Sequence, residues 1–139
     1  FLEVEKERGL VNITHLEWIN FGELPSYMRG ASLCLGGPFG GTSQAKRVIT
    51  GKALQFLACA CPTVVGLSDE TRGFFTDKVD CLLVEQGSPA AIVEAIRWAY
   101  EHPGALASIG AQGRRVYEQH YSMAVLKQNM ASVVNELRG

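Results

Sequence analysis

The sequence predicts an α/β fold, a parallel sheet with helices on both faces. Short apolar segments alternate along the chain with longer amphipathic ones. The short ones, Ala31 to Leu35, Thr63 to Leu67 and Cys81 to Glu85, are apolar nearly throughout rather than at every second residue. That is the pattern of strands buried on both faces. A glycine-rich stretch, Gly36-Gly37-Pro38-Phe39-Gly40-Gly41, follows the first of them and leads toward a helix.

The elements follow in order. Phe1 to Arg8 reads as the tail of a helix ended by Gly9, a good C′ residue. Asn12 to Trp18 is rich in β-formers and is expected as a short strand. Glu23 to Gly30 is a short helix with Pro25 near its start. After the glycine loop a helix is expected from Gly51 to Ala60, capped by Thr50. Pro62 forces its end, because the residue before proline avoids the α region. Ser68 to Lys78 is a polar connection with room for one helical turn. Ser88 caps a long helix whose Ile92, Ala95, Ile96 and Ala99 share a face. Helices over Pro103 to His120 and Ser122 to Leu137 complete the chain. Because the chain opens in a helix tail, it is expected to be a fragment whose first strands are missing. A small four-stranded domain is the alternative.

Composition narrows the function classes. The chain has 139 residues, 47% hydrophobic and 19% charged, with a formal net charge of -1. This is a globular composition, long enough for one domain and one core. No basic field is present to attract a nucleic acid, and no apolar run reaches the roughly 20 residues that span a bilayer. A membrane-associated acceptor or a separate anchor stays compatible with that. Cys34, Cys59, Cys61 and Cys81 show no zinc-type pairing and read as buried free thiols, which suits a cytoplasmic location. His15, His102 and His120 are far apart and read as structural or exposed.

In open α/β sheets ligands bind beyond the carboxyl ends of the strands, where the glycine loop lies. Glycines allow close backbone approach, and a following helix N terminus favours an anion. Lys46, Arg47 and Lys52 stand at or just before that terminus. There each opposes the helix dipole by roughly 0.3–1 kcal/mol. A bound diphosphate would turn the penalty into an attraction. Gly36 and Gly41 have Walker A spacing, but Thr42 stands where its lysine should be, and the loop lacks G-x-G-x-x-G. A nucleoside triphosphatase or nicotinamide dehydrogenase is thereby disfavoured.

Phe39-Gly40-Gly41-Thr42-Ser43, Arg47-Val48-Ile49, Lys52 and Gln55-Phe56-Leu57-Ala58-Cys59 before Pro62 resemble the donor segment of GT-B retaining glycosyltransferases of the glycosyltransferase family 4 type. Glu23-Leu24-Pro25-Ser26-Tyr27-Met28 upstream, and Arg72, Phe74, Phe75, Gly87-Ser88-Pro89 and Tyr121-Ser122 downstream, are similar to the same family. The resemblance implies a Rossmann-like C-terminal domain that holds a nucleoside diphosphate sugar, with an acceptor domain outside this chain. It implies sugar transfer to an acceptor hydroxyl with retention, with neither cofactor nor metal. The donor would be bound by Phe39, Gly40, Gly41, Thr42, Ser43, Arg47, Lys52 and Gln55. Catalytic residues are not identified, nor are the sugar, base and acceptor.

Several positions depart from the family pattern. Many relatives carry two glutamates separated by seven residues, and Arg47 and Gln55 stand there instead. Thr50 replaces a proline, Ala60 a glycine, Gly73 a glutamate and Met123 a tryptophan. Two other readings follow from the resemblance: a non-catalytic module that binds a nucleotide or a protein, and a sugar-nucleotide epimerase on the same architecture.

Overall fold

The computed structural model describes residues 7, 9 and 11–138. Three parallel strands, β1 (Cys34–Gly37), β2 (Thr63–Leu67) and β3 (Leu82–Glu85), lie side by side in chain order. Helix α1 (Leu24–Gly30) precedes the sheet. Helix α2 (Gly51–Ala58) connects β1 to β2, and α3 (Asp69–Phe74) connects β2 to β3. Helices α4 (Pro89–Glu101), α5 (Pro103–His120) and α6 (Met123–Arg138) follow.

Successive residues of β2 face opposite ways, so each strand serves two cores. Val65 packs with Ala53, Leu57, Phe75 and Cys81 on the α2 face. Val64 packs with Leu82, Val84, Ala99 and Ile109 on the α4 face. Both Val64 and Val65 are fully buried, which is why the strand is apolar without alternation. The parallel sheet with helices on both faces is thus the observed architecture.

Several elements differ from the sequence reading. Asn12 to Trp18 forms no strand. Its β-formers meet no ladder among the described residues, and Trp18 is 84% exposed; propensity alone does not hold a strand. The first strand begins at Cys34 rather than Ala31, because pairing starts where the Cys34 amide meets the Pro62 carbonyl at 2.8 Å. The last begins at Leu82 rather than Cys81, with Cys81 in an isolated bridge to Asp77. Helix α2 ends at Ala58 rather than Ala60. The Phe1 to Arg8 helix lies almost wholly outside the described residues, while Gly9 has the positive φ of a C′ residue, +61°.

The end of α2 explains its early stop. The Cys61 amide donates to Phe56 O at 3.0 Å and the Ala60 amide to Leu57 O at 2.9 Å. These are the two bonds of a Schellman motif, which needs a left-handed C′ residue. Ala60 fills that role at φ 57°. An alanine there is strained, whereas glycine is not. Ala60→Gly is expected to stabilise the fold by about 1 kcal/mol, after the added flexibility of the unfolded chain is subtracted. Thermal unfolding checks this; a lowered midpoint would mean that the alanine methyl contributes more than its strain costs.

Helix α5 seats against this turn at backbone distance. A Cβ on Gly110 would run into Ala60 O, and one on Gly113 would come within 2.5 Å of Asp80 O. Asp80 itself is 7% exposed, and both its carboxylate oxygens accept from the Thr76 amide, at 2.9 and 3.1 Å. Burial raises its pKa and the Thr76 amide lowers it, with burial the larger effect. A folded-state pKa above the unfolded one gives stability that is full below the unfolded value and lost as pH rises through the folded value. Wild type is therefore expected to lose stability relative to Asp80→Asn as pH rises above the ordinary aspartate range. A pH-independent difference in urea unfolding would contradict the shift.

Candidate functional site

Local chemistry places the loop and the start of α2. Thr50 accepts from the Ala53 amide at 3.1 Å, as an N-cap does, and donates its hydroxyl to Gly36 O at 2.7 Å. One side chain thus ties the helix N terminus to the carboxyl end of β1. Gly36 lets them approach: a Cβ there would stand 2.9 Å from Ala53 Cβ and 2.9 Å from Thr63 Cγ2.

Beyond Gly37, whose φ is +67°, the loop has an anchored part and an open part. Phe39 is half-buried against the Val64 and Leu82 cluster, and its carbonyl accepts from the Gly87 amide at 2.7 Å. Gly40, Gly41, Thr42 and Ser43 are exposed. Their four backbone N–H groups find no acceptor among the described residues. The chain then turns through a 3₁₀ segment, Ala45–Arg47. Thr42 holds that turn: its Oγ1 accepts from the Ala45 amide at 3.2 Å and its carbonyl from the Lys46 amide at 3.2 Å.

Two clefts adjoin this segment. Ser43, Lys46 and Arg47 line one of about 480 Å³, together with Asp69 and Glu70 at the start of α3. Among the described residues neither cation forms an ion pair there; the ion pair present is Arg114–Glu118 on α5. Lys52 and Gln55 line a second cleft of about 480 Å³ with Leu24, Tyr27, Met28, Leu35 and Phe56. The structure therefore groups Ser43 with Arg47, and Lys52 with Gln55. Phe39 lies between loop and core, and lines neither cleft. The sequence reading missed Asp69, Glu70 and Gln86, and it gave Gly87 only as part of the Gly87-Ser88-Pro89 resemblance. Asp69 and Glu70 look locally like ordinary first-turn acids behind the Ser68 cap, and nothing local marks Gln86.

No group of three or more His, Cys, Asp or Glu side chains among the described residues is arranged to hold a metal ion. The four cysteines are free. Burial pushes the Cys34 thiol up to about 12 and the Cys81 thiol higher still, so neither supplies a thiolate near neutral pH. Among the described residues no helix is long and apolar enough to cross a membrane.

A family model described as glycosyl transferase-like matches residues 4–131. The chain belongs to this glycosyl transferase-like family. Solved structures give the fold. Sucrose-phosphate synthase from Thermosynechococcus elongatus superposes with a TM-score of 0.79 at 18% identity, over 98% of this chain and 33% of its own. HepE from Anabaena, in complex with UDP-glucose, gives 0.78 at 17% identity, over 97% and 35%. The C-terminal domain of the group 1 glycosyl transferase LpcC from Francisella tularensis gives 0.63 at 18% identity, over 88% and 60%. The chain thus has the fold of a GT-B C-terminal domain and spans about a third of the length of the first two proteins. No curated protein sequence matches it.

Proposed function

We propose that this glycosyltransferase-like domain binds a nucleoside diphosphate sugar through the Phe39 to Ser43 loop and the start of α2. As part of a longer enzyme it would transfer the sugar to an acceptor hydroxyl with retention. The observation that carries the reading is the set of four unpartnered amides from Gly40 to Ser43, with Lys46 and Arg47 on the adjoining cleft. Donors without acceptors next to unpaired cations are what a diphosphate requires. Held in place before reaction, they would stabilise the charge that develops on the leaving diphosphate. The UDP-glucose complex of HepE supports the same ligand class.

Arg47 and Lys52 would serve the diphosphate, and Gln55 the ribose, accepting hydroxyl protons through its amide oxygen. A second reading is a non-catalytic nucleotide-binding module. It is favoured by Arg47 and Gln55 standing where many relatives carry glutamates. Sugar transfer or slow donor hydrolysis by the full-length protein separates the two.

Backbone amide NMR of the chain, titrated with UDP, GDP and ADP, tests the binding claim. Shifts clustered between Gly36 and Gln55 with one nucleotide are expected. Shifts scattered elsewhere, or none in the full-length protein, would sink the assignment.

A further inference from the structure

We propose that Gln86, at the end of β3, is a positioning residue that holds the glycine loop in its open shape; what that loop binds rests on the donor reading above. Its side-chain Nε2 donates to Pro38 O at 3.1 Å and to Ala45 O at 3.0 Å. The next residue, Gly87, donates its backbone amide to Phe39 O at 2.7 Å. One dipeptide therefore engages carbonyls at both ends of the loop. The carbonyls of Pro38, Phe39 and Ala45 are thus held from behind, and the Gly40 to Ser43 donors stay unused.

The orientation of the Gln86 amide is dictated by this task. Its Oε1 is buried and has no hydrogen-bond partner among the described residues. Exchanging the two amide atoms would set Oε1 against two carbonyl oxygens and undo both bonds. A buried acceptor left unsatisfied is uncommon and calls for a reason. Here the reason is that the same amide must present its NH₂ to the loop. Gly66 completes the arrangement: a Cβ at that position would strike Pro38 O and stand 3.0 Å from Gln86 Nε2. Gly87 lies close as well, with an added Cβ falling 3.6 Å from Gly41 Cα, so the loop crosses the β3–α4 turn at backbone distance.

Two substitutions test this in the full chain. Gln86→Glu keeps the size but faces two carbonyls with an acceptor; Gln86→Leu removes the donor without adding charge. In each, amide hydrogen exchange at Ala45, Lys46 and Gly87 is expected to rise about tenfold or more, while β2 amides at Val64 and Val65 stay protected. UDP affinity should fall about tenfold in both variants. Unchanged exchange at Ala45, Lys46 and Gly87 in either folded variant would overturn the proposal. So would a uniform rise that includes β2, which marks a merely structural role. Faster loop exchange in a full-length protein whose wild type shows no shifts with UDP, GDP or ADP would uphold Gln86 and remove the donor reading.

Discussion

Alanine at Gly66 is expected to lower stability by about 1–3 kcal/mol, the range for overpacking a buried site. Gly66 is buried near the carboxyl end of the central strand, paired with Val84. The added methyl points at Pro38 O and at the Gln86 side chain. Neither can yield cheaply: Pro38 O is backbone, and Gln86 is held by two hydrogen bonds. The loop is the softer partner, since it is exposed beyond Phe39. The midpoint of thermal unfolding should drop by roughly 3–10 °C, and the nucleotide-dependent shifts that the donor reading expects from Gly40 to Ser43 should be lost. An unchanged midpoint would mean that the loop does not press on β2 there.

On the donor reading proposed above, Arg47→Ala is expected to weaken nucleoside diphosphate binding about tenfold at low salt, through loss of one charge-assisted contact. Lys52→Ala should weaken it less. Arg47 shares a cleft with Ser43 and Lys46, whereas Lys52 sits with Gln55 against an apolar groove. The Arg47 effect should shrink as salt is raised, because an exposed cation is screened. Isothermal titration at two ionic strengths measures both. An equal loss at Lys52 would move the diphosphate toward the start of α2, and unchanged affinity in both variants would rule out an anion site.

What was legible in the sequence was local. Thr63–Leu67 and Pro103–His120 form with the bounds expected of them, since an unbroken apolar run and a proline start leave little choice. Thr50 and Ser88 cap as their residue type suggests. Asn12 to Trp18 was not legible, because a strand needs a neighbour that composition does not supply. The end of α2 falls two residues before the bound that Pro62 implies: the proline signals a stop, but the left-handed turn through Ala60 consumes the residues before it. At the site, the glycine loop and its cations were visible as neighbours in sequence. The side chain of Phe39 packs against the Val64 cluster as the loop's apolar anchor, a long-range contact that adjacency in sequence does not reveal. Gln86 has no local signature, because its bonds reach across 41 and 48 residues.

That long reach sets an order of assembly. The strands add one beside the last in chain order, so β1, α2 and β2 can associate as soon as they leave the ribosome. The loop between β1 and α2 cannot take its final shape then, because the side chain that grips both its ends is made 41 residues after Ala45. A nascent chain released before Gln86 would lack the side chain that holds both ends of the loop. The final shape of the loop therefore waits for the residue that follows β3.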